Sequence, residues 1–189
     1  MKMIISESQY KRLMESESDQ KVLQVPSLKF FDDDLMTAWD KLQEFMKHKG
    51  NPPYSIGGNI MLESLSIESL GSLRSVGGYL NLRDCRIESL GELESVGGYL
   101  NATFSTLPSL GNLKSVGGDL YLSYSSVRSL GALVSVGGDM GCNYTPVDSF
   151  GNLKFVEGDL SLRKTPLSTM YTSRQMRTMV NVAGAIERL

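Results

Sequence analysis

The stretch from Ser109 to Leu122 reads Ser-Leu-Gly-Asn-Leu-Lys-Ser-Val-Gly-Gly-Asp-Leu-Tyr-Leu, and its parts recur along the chain at a fixed step of 20 residues. Val76, Val96, Val116, Val136 and Val156 fill one column, and Gly58, Gly78, Gly98, Gly118, Gly138 and Gly158 fill another. Leu73, Leu93, Leu113, Leu133 and Leu153 make a third, with Gly71, Gly91, Gly111, Gly131 and Gly151 two places before them. Self-similarity at such a period is the signature of a stacked repeat array. The Leu-x-Leu pair after each Gly-Gly, such as Leu80 and Leu82, alternates in-out-in and predicts a short strand. One coil alone cannot bury enough apolar surface to offset the ordering of its backbone, so the array must fold cooperatively. The expected fold is a repeat solenoid, a right-handed parallel β-helix of about six 20-residue coils whose strands stack into one parallel sheet.

Working outward, four regions separate. Residues 1–20 are a flexible or short helical leader, 21–55 an N-terminal helical cap, 56–168 the solenoid and 169–189 a C-terminal helix-strand cap. In the first cap Leu35, Met36, Trp39, Leu42, Phe45 and Met46 recur at helical spacing, which predicts a core-facing stripe. Asp32 to Asp34 suit the helix start, and Lys47 and His48 suit its C-terminal end, with Gly50 stopping it. Towards the C-terminus Ser173 can cap a helix carrying Met176, Met179 and Val180, with a last strand between Val182 and Ile186.

Composition excludes several classes. A net charge of −2 gives no footprint for nucleic acid. No apolar run approaches the roughly 18 residues of a membrane span, and the start of the chain does not read as a secretory signal, so a cytoplasmic protein is expected. Cys85 and Cys142 stand nearly three coils apart, beyond disulfide reach at ~4.8 Å per coil. Both are expected to be reduced. No Cys/His metal spacing, Walker loop or dinucleotide fingerprint is present, so no cofactor and no metal site is expected. Ser69, Ser89, Ser109, Ser129 and Ser149 recur in every coil, which marks a turn role rather than a nucleophile, and catalysis is not expected.

Leu80-x-Leu82-x-x-Cys85-x-Ile87 resembles the leucine-rich-repeat signature, and Leu120-x-Leu122-x-x-Ser125-x-Val127 resembles it with Ser in the polar place. The Gly-Gly before the strand is similar to the short, β-helix-like variants, including receptor L domains. In this likeness Cys85, Ser105, Ser125, Thr145 and Thr165 form a small polar column, expected to bond inward to the next coil's backbone and to satisfy turn amides. Departures are Leu65 in the first polar place, Ala102 and Cys142 for the second strand Leu, and Glu157 for the first Gly. The leader Ile4-Ile5-Ser6-Glu7-Ser8-Gln9-Tyr10-Lys11-Arg12-Leu13-Met14-Glu15 is similar to those on small proteins of large tailed bacteriophages. Ile5-Ser6-Glu7 and Leu13-Met14-Glu15 fit the apolar-x-Glu pattern that such phages' prohead proteases cut after.

Strand alternation turns specific rows outward. One holds Tyr79, Tyr99, Asp119, Asp139 and Asp159; the next holds Asn81, Asn101 and Tyr121; just past the strand stand Phe104, Tyr124 and Tyr144. The aromatic rows are expected to form ladders. They fit a binding surface, although cross-strand packing also produces such ladders. The three stacked aspartates repel at ~4.8 Å spacing, which calls for Gly-Gly turn amides, nearby Arg163 or Lys164, or a cation to offset them. Two functions are expected from these rows and the leader: a non-catalytic module, phage-encoded, that binds a protein partner, or a structural virion component with a processed leader.

Overall fold

The computed structural model describes residues 22–188; the leader and its two apolar-x-Glu steps lie outside the described residues. Each Gly-Gly is a corner between two extended pairs. Before it, Ser-Val pairs stack in parallel, Ser95 on Ser115 on Ser135 and Val96 on Val116 on Val136. After it, Leu80, Leu100, Leu120, Met140 and Leu160 stack in the same way. The product is a parallel β-solenoid of about five turns with two long sheets. Among the described residues the first has eight strands, from Leu23–Val25 to Asn181–Val182, and the second seven, from Ile60–Met61 to Ile186–Glu187. The sequence predicts only the second. Strands in both sheets are mostly two residues long, but the first lacks the Leu-x-Leu alternation that marks the second: before each Gly-Gly the apolar residues stand three apart, as Leu93 and Val96 do, which is not a strand period.

A third side begins with backbone bonds from turn to turn, Arg86 N to Leu65 O at 2.8 Å, Thr106 N to Cys85 O and Ser126 N to Ser105 O at 3.1 Å, but beyond them strand pairing is intermittent. Ser66–Ser69 pairs with Arg86–Ser89, and Ser109 bridges Ser129. Between these two pairs the Thr106 hydroxyl accepts from Ile87 N at 2.9 Å and donates to Ile87 O at 3.1 Å, replacing the ladder with a side chain. The same pairing appears at the next bend, where Glu92 N donates to Gly71 O at 3.0 Å and Ala132 N to Gly111 O at 2.9 Å.

The interior is a set of vertical rows. Leu80, Leu82, Leu100, Leu120 and Leu122 are fully buried, as are Ile87, Leu107, Val127 and Val147 on the third side. The small polar column lies inside and takes up turn amides as expected, Val127 N donating to Ser125 Oγ at 3.4 Å and Ser168 N to Thr165 Oγ1 at 3.1 Å, but its hydroxyls do not donate to the next turn. Thr145 and Thr165 donate within their own turn, to Cys142 O at 2.7 Å and Leu162 O at 2.8 Å, and Cys85 Sγ reaches back to Leu62 O of the preceding turn. A hydroxyl on Cβ, only two bonds from Cα, closes its own turn more easily than it spans to the next strand. Both cysteines are buried and unbridged, and burial pushes the Cys142 thiol up to about 12.

The repeating serines close the other bend. Ser69, Ser89, Ser109, Ser129 and Ser149 each accept from the amide of the glycine two residues on, at 2.9–3.1 Å. Those glycines sit at φ between 54° and 61°. The hydroxyl thereby satisfies an amide that the left-handed turn takes out of the ladder.

Helix α1, Leu35–His48, is N-capped by Asp34, whose carboxylate accepts from Thr37 N at 2.8 Å. It stops where Gly50 takes φ 81° and Asn51 φ 53°, with Asn51 N closing on Met46 O at 2.8 Å. Ala38, Trp39, Leu42, Phe45 and Met46 join the core, and Gln43 donates to the buried Tyr54 hydroxyl at 3.0 Å. Met36 departs from the predicted stripe: it is 56% exposed. Near the C-terminus come α2, Pro166–Met170, and α3, Ser173–Met179. The cap of α3 is Thr172 rather than Ser173, because Thr172 and Gln175 complete a reciprocal capping box. The predicted last strand is a corner like the others, with Asn181–Val182 on one sheet and Ile186–Glu187 on the other.

Candidate binding face

The outer surface of the second sheet gathers most of the residues singled out above. Phe104, Tyr124 and Tyr144 occupy the position after the strand, and there the backbone is left-handed, at φ 60°, 59° and 57°. Bulky residues are rarely found there, since the conformation costs ~1–2 kcal/mol per residue. Their rings stack, Phe104 on Tyr124 at 5.0 Å and Tyr124 on Tyr144 at 4.7 Å, with interplanar angles of 17° and 8°. The Arg83 guanidinium lies 5.9 Å from the Phe104 ring centre. Stacking faces inward along the ladder, and the three side chains remain 47%, 51% and 49% exposed.

A second ladder stands on the other edge of the strands. Tyr79 stacks on Tyr99 at 4.8 Å and 5°, and Tyr99 meets Tyr121 edge-on at 6.4 Å. Tyr121 donates its hydroxyl to Asp119 Oδ2 at 2.6 Å, which, with partial burial, pushes the phenol up to about 12. The face therefore presents fixed rings, with the Tyr121 hydroxyl held protonated well above neutral pH.

The aspartate row is settled by backbone. Asp119 Oδ1 accepts from Asp139 N, Asp139 Oδ1 from Asp159 N and Asp159 Oδ1 from Ala185 N, at 2.7–2.8 Å. Asn59 does the same for Tyr79 N at 3.0 Å. Each carboxylate thus bonds the amide of the matching position one turn on, the residue just after the corner's second glycine (Gly138, Gly158 or Gly184), rather than a glycine amide. The second glycine leaves it room: a Cβ at Gly138 would lie 2.1 Å from Asp119 Oδ1. Among the described residues no group of three or more His, Cys, Asp or Glu is placed to hold a metal ion.

The asparagines serve the turns. Asn81 is buried, its side-chain oxygen accepting from Arg83 N at 3.1 Å, and Asn101 accepts from Thr103 N at 3.0 Å. Of the row carrying Asn81, Asn101 and Tyr121, only the tyrosine offers an exposed large side chain beyond the end residue Met61. Met61 and Met36 were not among the predicted site residues, yet both are exposed and line one shallow depression beside Asp33 and Glu63. Met61 could have been found from its outward row; Met36 could not, since its helical spacing matches the buried stripe.

Another surface binds its own charges. Arg74 meets Glu92 and Glu94 at 2.8 Å, and Lys114 meets Glu94 at 2.5 Å, so hydrogen bonds from Lys114 and then Arg74 hold the Glu94 carboxyl below the usual range. Such exposed pairs are worth little individually, but they leave that column satisfied. No helix of the described residues is long and apolar enough to cross a membrane. The chain matches no family model, no curated protein and no solved structure.

Proposed function

We propose that the chain is a non-catalytic, leucine-rich-repeat-like binding module, phage-encoded and working in the host cytoplasm, that holds a protein partner on the two aromatic ladders. In this reading its six coils are closed by the terminal helices, and the second sheet's outer surface is the contact. The observation that carries it is the backbone beneath Phe104, Tyr124 and Tyr144. A glycine at any of these places would relieve the left-handed strain, and the ring pairs return only ~0.5–1.5 kcal/mol each. Stability alone gives little reason for three exposed rings there; contact with a partner does. Tyrosine supplies large contact area with few rotatable bonds, so little entropy is lost on binding.

The test is affinity capture from infected-cell lysate with the wild type, with Tyr99→Ala/Tyr121→Ala/Tyr124→Ala, and with Glu94→Ala/Lys114→Ala on the charged column. The tyrosine variant is expected to melt cooperatively and to lose the captured protein, while the charge variant keeps it. Capture by the tyrosine variant at the wild-type level would contradict the proposal, as would equal loss in both.

A further inference from the structure

The first sheet repeats its hydrogen bonds from turn to turn at the Gly-Gly corner. Val136 O accepts from Glu157 N and Val156 O from Ala183 N, both at 3.0 Å; Gly138 O accepts from Gly158 N at 2.9 Å and Gly158 O from Gly184 N at 3.0 Å. The next acceptors in this series are Val182 O and Gly184 O. Among the described residues Asn181–Val182 is the last strand of the sheet, and no further turn supplies their donors.

One side chain fills both places. Arg177 Nη1 donates to Val182 O at 2.5 Å and Nη2 to Gly184 O at 2.7 Å. A guanidinium carries its N–H groups in a rigid planar fork, and here two of them stand where the amides of a following turn would. Helix α3 holds the fork in place, since its capping box fixes the first turn and the neighbouring Met176 is fully buried.

The opposite end of the same sheet carries a complementary change. Gly57 N donates to Val25 O at 2.8 Å and Gly77 N to Ile56 O at 2.7 Å, so the first residue of each corner donates back to the turn before it. Val25 pairs with Ile56, which places Pro26 in the column of Gly57 and Ser27 in that of Gly58. The contacts agree: a Cβ at Gly57 would meet Pro26 O at 3.0 Å, and one at Gly58 would meet Ser27 Cβ at 3.0 Å. Proline has no N–H. The outermost corner therefore lacks the donor that the corners after it use.

We propose that Arg177 and Pro26 are matched end blocks that keep a second copy of this chain from adding head to tail, its Leu23–Val25 strand against the Asn181–Val182 edge. Unpaired strand edges are templates for further strands. The second copy is the fitting occupant because, among the described residues, Leu23–Val25 is the opposite edge strand of the same parallel sheet and leads into the same corner. Arg177 occupies both acceptors of that junction, and Pro26 removes one of its donors.

Sedimentation velocity over a range of concentrations tests this with the full chain, using Arg177→Met, which keeps the apolar stem, Pro26→Gly, and the two together. Far-UV circular dichroism and thermal melts establish folding. The double variant is expected to move to the mass of a dimer or beyond as concentration rises, while the wild type and both single variants sediment alike. A folded double variant that sediments as the wild type does overturns the proposal, and so does Arg177→Met assembling as fully as the double. Should Arg177→Met lose its cooperative melt, Arg177→Gln, too short to span both carbonyls, takes its place with the same expected and contrary results.

Discussion

Replacing Gly131 by Ala is expected to lower stability by about 3 kcal/mol, and replacing Gly111 by Ala by only about 1 kcal/mol, in urea unfolding. The two glycines share a column and a backbone conformation, φ 58° and 55°. Any Cβ incurs the left-handed penalty at both. What differs is the neighbour: at Gly131 the new carbon would lie 2.3 Å from Gly111 O, whereas at Gly111 nothing stands within 4 Å. A backbone carbonyl cannot swing aside as a side chain can, so the Gly131 variant must push apart neighbouring turns that Ala132 N and Gly111 O hold together. Equal losses at the two sites would mean that the turns are not joined in pairs on this side.

Leu122→Ala is expected to fall near the top of the ~2–5 kcal/mol range for such truncations. Leu122 is fully buried, and its row neighbours are already small, Ala102 one turn before and Cys142 one turn after. Three short side chains in succession leave no long neighbour to lean into the space, so the cavity cannot collapse. Leu80→Ala, in the row of Leu100 and Leu120, should lose less because bulky neighbours can shift towards it. The comparison by urea unfolding would fail if both variants lost the same amount.

Much of this architecture is legible in the chain because a fixed period converts sequence distance into spatial rows. Tyr79 over Tyr99 and Phe104 beneath Tyr124 follow from the step alone; the step also stacks Asp119 and Asp139, but it does not tell which groups their carboxylates bond, which are the amides of Asp139 and Asp159 rather than glycine amides. What the period hides is local. Ser-Val pairs lack the Leu-x-Leu alternation that announces the other sheet, and Thr106 interrupts the third side through one hydroxyl that no pattern marks. The left-handed backbone under Tyr124 is hard to see because its column holds no glycine or asparagine, and of Ser64, Asp84, Phe104, Tyr144 and Lys164 only Asp84 is of a type that favours it. Arg177 reads as a solvated helix arginine until the carbonyls of Val182 and Gly184 are seen within its reach. Asn81 stands in an outward row, but its short amide is drawn to the turn amide two residues on.

The most direct test of the central claim, that one 20-residue step is one turn, is a set of nuclear Overhauser contacts among valine methyls in specifically labelled protein. Strands one turn apart lie ~4.8 Å from each other, so Val76, Val96, Val116, Val136 and Val156 should connect as a single chain, each to the valine one repeat away. Contacts from Val96 to Val136 that bypass Val116, or no contacts between successive valines, would contradict the account.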